Sequence, residues 1–185
     1  MRRFLFGIII SLLSISGCDH NSDLSRGSDT KTKISQINQL SKEMPEEMPE
    51  DFNFSLSYGY GEVNKNEINT YNNSVTKDLI IKGTAKADFS FSQDEMQSIY
   101  KKMKEINIMR INEFSQQGDC AKTPSNTDSW KITINSETKT FSWTDQHCSV
   151  SNDEKLLLDL RTYIQLIVNG KDVYKALPEA EGGYD

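Results

Sequence analysis

Between residues 52 and 60 apolar and polar side chains alternate without a break. Phe52, Phe54, Leu56, Tyr58 and Tyr60 fall on one side, and Asn53, Ser55, Ser57 and Gly59 on the other. Successive side chains leave a strand on opposite faces, so period-two alternation rich in aromatics predicts a β-strand with one buried face. Weaker stretches follow. The polar turn 61–66 leads to a second strand at 67–71, Asn72-Asn73-Ser74 breaks it, and 75–81 reads as a third. Ala85, Ala87, Phe89 and Phe91 alternate again, which predicts a strand over 84–91. Trp130, Ile132 and Ile134 alternate, residues 135–138 turn, and Phe141 and Trp143 alternate back, the pattern of a hairpin.

Two segments change period. Ser92 with Glu95 forms a capping box, and Met96, Ile99, Tyr100, Met103 and Ile106 recur at helical spacing behind it. Ser151 with Glu154 repeats the signal before Leu156, Leu157, Leu160, Tyr163, Ile164 and Ile167, with Asn169-Gly170 as the expected stop. These predict helices over about 93–107 and 152–168, each with one apolar stripe. Hairpin-linked strands with segregated helices imply an α+β fold, an antiparallel sheet with both helices packed on one face. The expected contacts are Met96, Ile99, Met103, Leu157, Leu160 and Ile164. The end of the chain, from Leu177 to Tyr184, reads as irregular.

The N-terminus has a different pattern. Arg2 and Arg3 precede an apolar run from Phe4 to Leu13, too short to span the roughly 30 Å core of a bilayer as a helix. The run fits the apolar region of a secretory signal, and Ile15-Ser16-Gly17-Cys18 follows it directly. This resembles the lipobox of bacterial lipoproteins. The resemblance implies cleavage before Cys18, acylation of its sulfur, and a protein held at the outer face of the cytoplasmic membrane. Two or more acyl chains anchor stably where one binds only marginally. Asp19 resembles the residue that retains such proteins in the inner membrane of enteric bacteria. The implied plan is a signal peptide over 1–17, a lipidated and mostly disordered acidic tether over 18–51, and one α+β domain over 52–185. Ile34, Ile37, Leu40 and Met44 allow a short weak helix within the tether. The doublet Glu43-Met44-Pro45-Glu46 and Glu47-Met48-Pro49-Glu50 reads as a stiff acidic spacer rather than a soft-metal site. The domain is similar in layout to small uncharacterised bacterial lipoproteins, a likeness that carries no activity.

Composition narrows the partners. The 185-residue chain has 21 basic and 27 acidic residues, a net charge of −6 that argues against nucleic-acid binding. Without Arg2 and Arg3 the balance is 19 to 27, or −8, so an anionic membrane surface should hold the domain off rather than draw it in.

Cys18 aside, Cys120 and Cys148 remain. In an exported domain an even remainder reads as one disulfide, with two free thiols or a site with His147 and Asp119 or Asp145 as alternatives. The cysteine pair lacks the close spacing of structural zinc sites, and no metal or cofactor is expected. Asp119, Asp128, Asp145 and Asp153 have no calcium-loop spacing. His147 is the one histidine outside the tether, and no nucleophile elbow or metalloprotease motif accompanies it. The reading is a non-catalytic envelope lipoprotein that binds a protein, peptide or envelope component. Tyr58, Tyr60, Trp130 and Trp143 are the candidate contacts, each weighed against a place in the core. The alternative is an envelope hydrolase with an unrecognised site near His147.

Overall fold

The computed structural model describes residues 43–60, 65–111, 120–147 and 150–184, all within one compact unit, Lys42–Asp185. The signal peptide, Cys18 and the tether up to residue 42 lie outside the described residues. The expected fold class is present: a six-stranded antiparallel sheet with two long helices.

The strands are β1 (Asn53–Tyr60), β2 (Asn66–Asn69), β3 (Ser74–Asp78), β4 (Thr84–Asp88), β5 (Asn126–Ile134) and β6 (Glu137–Thr144). Their order in the sheet is β4-β3-β2-β1-β5-β6, so β1 is paired on both sides and β4 and β6 form the edges. One row of side chains crosses the whole sheet: Ala87, Val75, Ile68, Leu56, Trp130 and Phe141 stand opposite one another strand by strand. Leu56 and Ile68 are fully buried, and burial of an aliphatic side chain of this size contributes about 1.5–3 kcal/mol.

Helix α1 (Gln93–Glu105) and helix α2 (Asn152–Gly170) cover this row. Both predicted capping boxes form, with Ser92 and Ser151 each accepting from the backbone of the glutamate three residues on. Ile99, Met103, Leu157, Leu160 and Ile164 are buried in one cluster with the sheet row, and Met96 packs partly buried against it. Leu156, read as part of the apolar stripe, is 42% exposed. α2 ends at Gly170, where the sequence placed its stop, although Gly170 is the last helical residue and the extended Lys171 is the cap; the short helix α3 (Asp172–Lys175) follows.

The folded part begins earlier than the alternating pattern suggested. Residues 43–51, assigned to the tether, pack against the domain, and Met44 is buried in its core. Tyr100 donates its hydroxyl hydrogen to Pro45 O at 2.7 Å, Lys104 pairs with Glu46, and Arg110 pairs with Glu43 at 2.8 Å. Asp51 then accepts from the backbone N–H of Asn135 and Ser136, the two-residue turn between β5 and β6. That turn is tighter than the four residues expected, and both its residues have positive φ, which matches the right-handed twist of the flanking strands.

Candidate functional site

Both helices lie on one side of the sheet, and among the described residues no helix covers its other face. The residues alternating with the core row form a second row: Lys86, Thr76, Glu67, Ser57, Ser129 and Ser142. On β1, β5 and β6 this face is made almost wholly of hydroxyl side chains. Ser129 and Ser142 share a hydrogen bond of 2.9 Å, Thr133 and Thr138 one of 2.8 Å, and the Tyr71 hydroxyl meets Thr133 Oγ1 at 2.7 Å. A shallow groove of about 310 Å³ runs over these strands, with Ser55, Ser57, Ser129, Lys131, Thr140 and Ser142 as its polar lining. Lys131 is the one charged residue of that lining, and its ammonium lies 4.7 Å from the centre of the Tyr71 ring. The groove is thus lined by hydroxyl side chains together with Trp130 and Phe141, with Lys131 as its single cation.

The four aromatics named from sequence divide unequally. Tyr58, Trp130 and Trp143 are buried on the helix-covered face and are not surface contacts. The reason is strand parity: each lies on the side of its strand that carries Phe54, Leu56 and Ile132, and that side turned out to be the covered one. Tyr60, the last residue of β1, is 45% exposed and stands 5.6 Å from the Tyr184 ring.

Tyr58 and Trp143 instead flank a buried charge. Asp128 lies opposite both of them in the sheet and is fully buried. Arg161 of α2 forms an ion pair with it, and the guanidinium stands 6.0 Å from the Tyr58 ring centre. Burial pushes the Asp128 carboxyl up to about 6, against the opposing pull of Arg161, and Asp145 adds to the rise. The Trp143 indole N–H faces the carboxylate and favours its charged form without reaching hydrogen-bond geometry. Tyr58 is raised by burial, with Gln165, Arg161 and Tyr174 opposing. Burial and the neighbouring Tyr58 push Tyr174 up to about 12.

Cys120 is disulfide-bonded, and its expected partner Cys148 lies outside the described residues, as does Asp119. His147 is half-buried, and its buried Nδ1 has no hydrogen-bond partner among the described residues. Asp145 is engaged elsewhere: burial raises its carboxyl, but Lys122 at 2.6 Å and the Asn126 side chain and backbone outweigh that and hold it below the usual carboxylate value. Asp153 is exposed in the first turn of α2. Among the described residues no group of three or more histidine, cysteine or carboxylate side chains is poised to hold a metal ion.

The sequence reading missed the serine and threonine face. Its signal was the polar half of each alternation, but those residues become one surface only through the strand register. A second groove, of about 460 Å³, was also missed; Met48, Tyr100, Lys101 and Lys104 line it between the Met-Pro-Glu segment and α1. The chain matches no protein-family model and no curated protein. No helix among the described residues is long and apolar enough to cross a membrane.

Proposed function

We propose that this chain is an exported, lipid-anchored binding module, without catalysis, that holds a polyhydroxylated and negatively charged envelope polymer on the open face of its sheet. The observation that carries the reading is the groove over β1, β5 and β6, with its hydroxyl lining and Lys131 as sole charge. Hydroxyl side chains both donate and accept, so they complement the hydroxyls of a saccharide, and Lys131 complements a carboxylate or phosphate. The net charge of −6 opposes an anionic polymer at long range, so the single lining cation, Lys131, acts at contact distance. The lipobox-like Ile15-Ser16-Gly17-Cys18 supports anchoring through Cys18 at the outer face of the cytoplasmic membrane.

The test is co-sedimentation of the full chain with insoluble peptidoglycan. Lys131→Glu is expected to reduce the bound fraction at least tenfold while shifting thermal unfolding only slightly, because the side chain is exposed and loses only its contact with the Tyr71 ring. Equal sedimentation of both proteins removes Lys131 and the groove from the account. A photo-crosslinker at Ser142 that captures a protein instead keeps the open face as the binding surface and discards the polymer. Anchoring is read separately: Cys18→Ala should move the protein out of the detergent phase or leave the precursor uncut, and unchanged partitioning would defeat it.

A further inference from the structure

Beyond α3 the chain has no regular structure, yet Pro178–Tyr184 is fastened along the turn between β3 and β4. The Glu181 N–H donates to Leu79 O and the Ile81 N–H donates to Glu181 O, each at 3.3 Å, which makes a single parallel bridge between Ile80 and Glu181. Lys77 meets Glu179 at 3.3 Å, Lys82 pairs with Glu181, and the Tyr184 hydroxyl donates to Asp78. Gly182 has φ +97°, and a Cβ there would come within 3.0 Å of Ile81 Cγ2. Acid, acid, glycine and tyrosine are each read by a different feature of the turn. Main-chain pairing with side-chain selection at intervals is how a sheet edge receives an added extended peptide.

At its acidic residues the fastening is weak, and half-buried Tyr184, against Asp78 and the Tyr60 ring, is its firmer point. Glu179 is 88% exposed, and Glu181 and Lys82 are 54% and 51% exposed, so these ion pairs contribute little. Every residue from Pro178 to Gly183 is exposed, and none adds an apolar contact to the core cluster. The turn itself is held under strain. Ile80 has φ +62°, a left-handed conformation that is rare for a β-branched residue and costs on the order of 1–3 kcal/mol. Beside it Ile81 is 72% exposed, the most exposed large apolar side chain among the described residues. The glycines at 182 and 183 bring no side chain to cover it.

We infer that the β3–β4 turn is a docking slot for an acidic, tyrosine-bearing extended peptide of a partner protein, with Glu179–Tyr184 as an internal stand-in that the partner displaces. The slot lies apart from the open-face groove, and its fate is independent of the polymer reading. A partner peptide that keeps the acid pattern and the glycine at position 182, with an apolar side chain in the open space at position 183, gains a contact toward Ile81 that the chain's own segment leaves unused.

The test uses the full chain carrying Glu179→Lys and Glu181→Lys, which removes both ion pairs from exposed positions. Its Ile81 amide should exchange with solvent at least tenfold faster than in the unaltered chain. A synthetic nonapeptide, Leu-Pro-Glu-Ala-Glu-Gly-Gly-Tyr-Asp, should then shift the NMR signals of Lys77, Ile81 and Lys82 in a saturable way. Its apparent affinity for the unaltered chain should be at least tenfold weaker, because there the slot is occupied. Unchanged Ile81 exchange, no saturable shift in the substituted chain, or equal affinity for the two chains would each overturn the inference.

Discussion

Asp128 shows how one buried carboxyl can shape the pH response of the whole domain. Its folded value of about 6 lies above the ordinary 3.8 because burial disfavours the charge more than Arg161 restores it. An acid raised on folding binds more protons in the folded state than in the unfolded one between those values. Its contribution is therefore most favourable at low pH and is lost as pH rises from about 4 through 6. Two pH units correspond to about 3 kcal/mol as an upper figure. Asp145 and Glu95 act the other way: burial raises each, but their Lys, Asn and Ser partners outweigh it and hold both carboxyls low, so their stabilisation is lost in acid. The quantity to measure is thus the difference between the native chain and Asp128→Asn in urea unfolding at pH 4 and pH 7. That difference should change by a few kcal/mol across the interval. Arg161→Met should push the Asp128 titration, followed by carboxyl carbon NMR, higher still. An Asp128 carboxyl that titrates near 4 in the native protein would refute this account.

At the scale of elements, the segment from Glu43 to Asp51 is the least expected part of the fold. Its composition is acidic and proline-stiffened, yet Met44 reaches the core and Asp51 caps the β5–β6 turn. A tether would tolerate any substitution at Met44. A core position would not: Met44→Ala should lower unfolding free energy by about 2 kcal/mol, at the lower end for a buried methionine. A change of only a few tenths in chemical denaturation would return the segment to the tether. The helices follow their sequence signals more closely. Ser92 and Ser151 form reciprocal caps, each contributing about 1 kcal/mol, because the bonds involved are closed within four residues and need no tertiary partner.

For the whole molecule, the governing fact is a sheet with unlike faces. One face carries the row through Leu56 and Trp130 under two helices, and the other carries hydroxyls that no described helix covers. Cys120 is held in a disulfide. With Cys148 as its partner the bridge closes a loop of about 28 residues, for which chain entropy gives roughly 3 kcal/mol. Reduction should lower the unfolding free energy by about that amount, and the Cys120→Ser/Cys148→Ser double variant should be insensitive to reductant. Mass mapping that joins Cys120 to any other cysteine would reject the pairing.

The sequence by itself determined what depends on near neighbours. Alternation through Phe54, Leu56 and Tyr58 was enough for β1, and two capping boxes with apolar stripes were enough for α1 and α2, since periodicity and caps are local properties. Their sum already implied the α+β class. Tertiary structure alone decided which side of each strand met the helices, because a period of two defines two faces without saying which is covered. That choice buried Tyr58, Trp130 and Trp143 and turned Ser57, Ser129 and Ser142 outward. It also brought Asp128 against Arg161 and the Glu179–Tyr184 segment against the β3–β4 turn, contacts between residues 33 and about 100 positions apart. Pairings at such separations leave no periodic trace in a single chain, since nothing in the local spacing of either partner depends on the other.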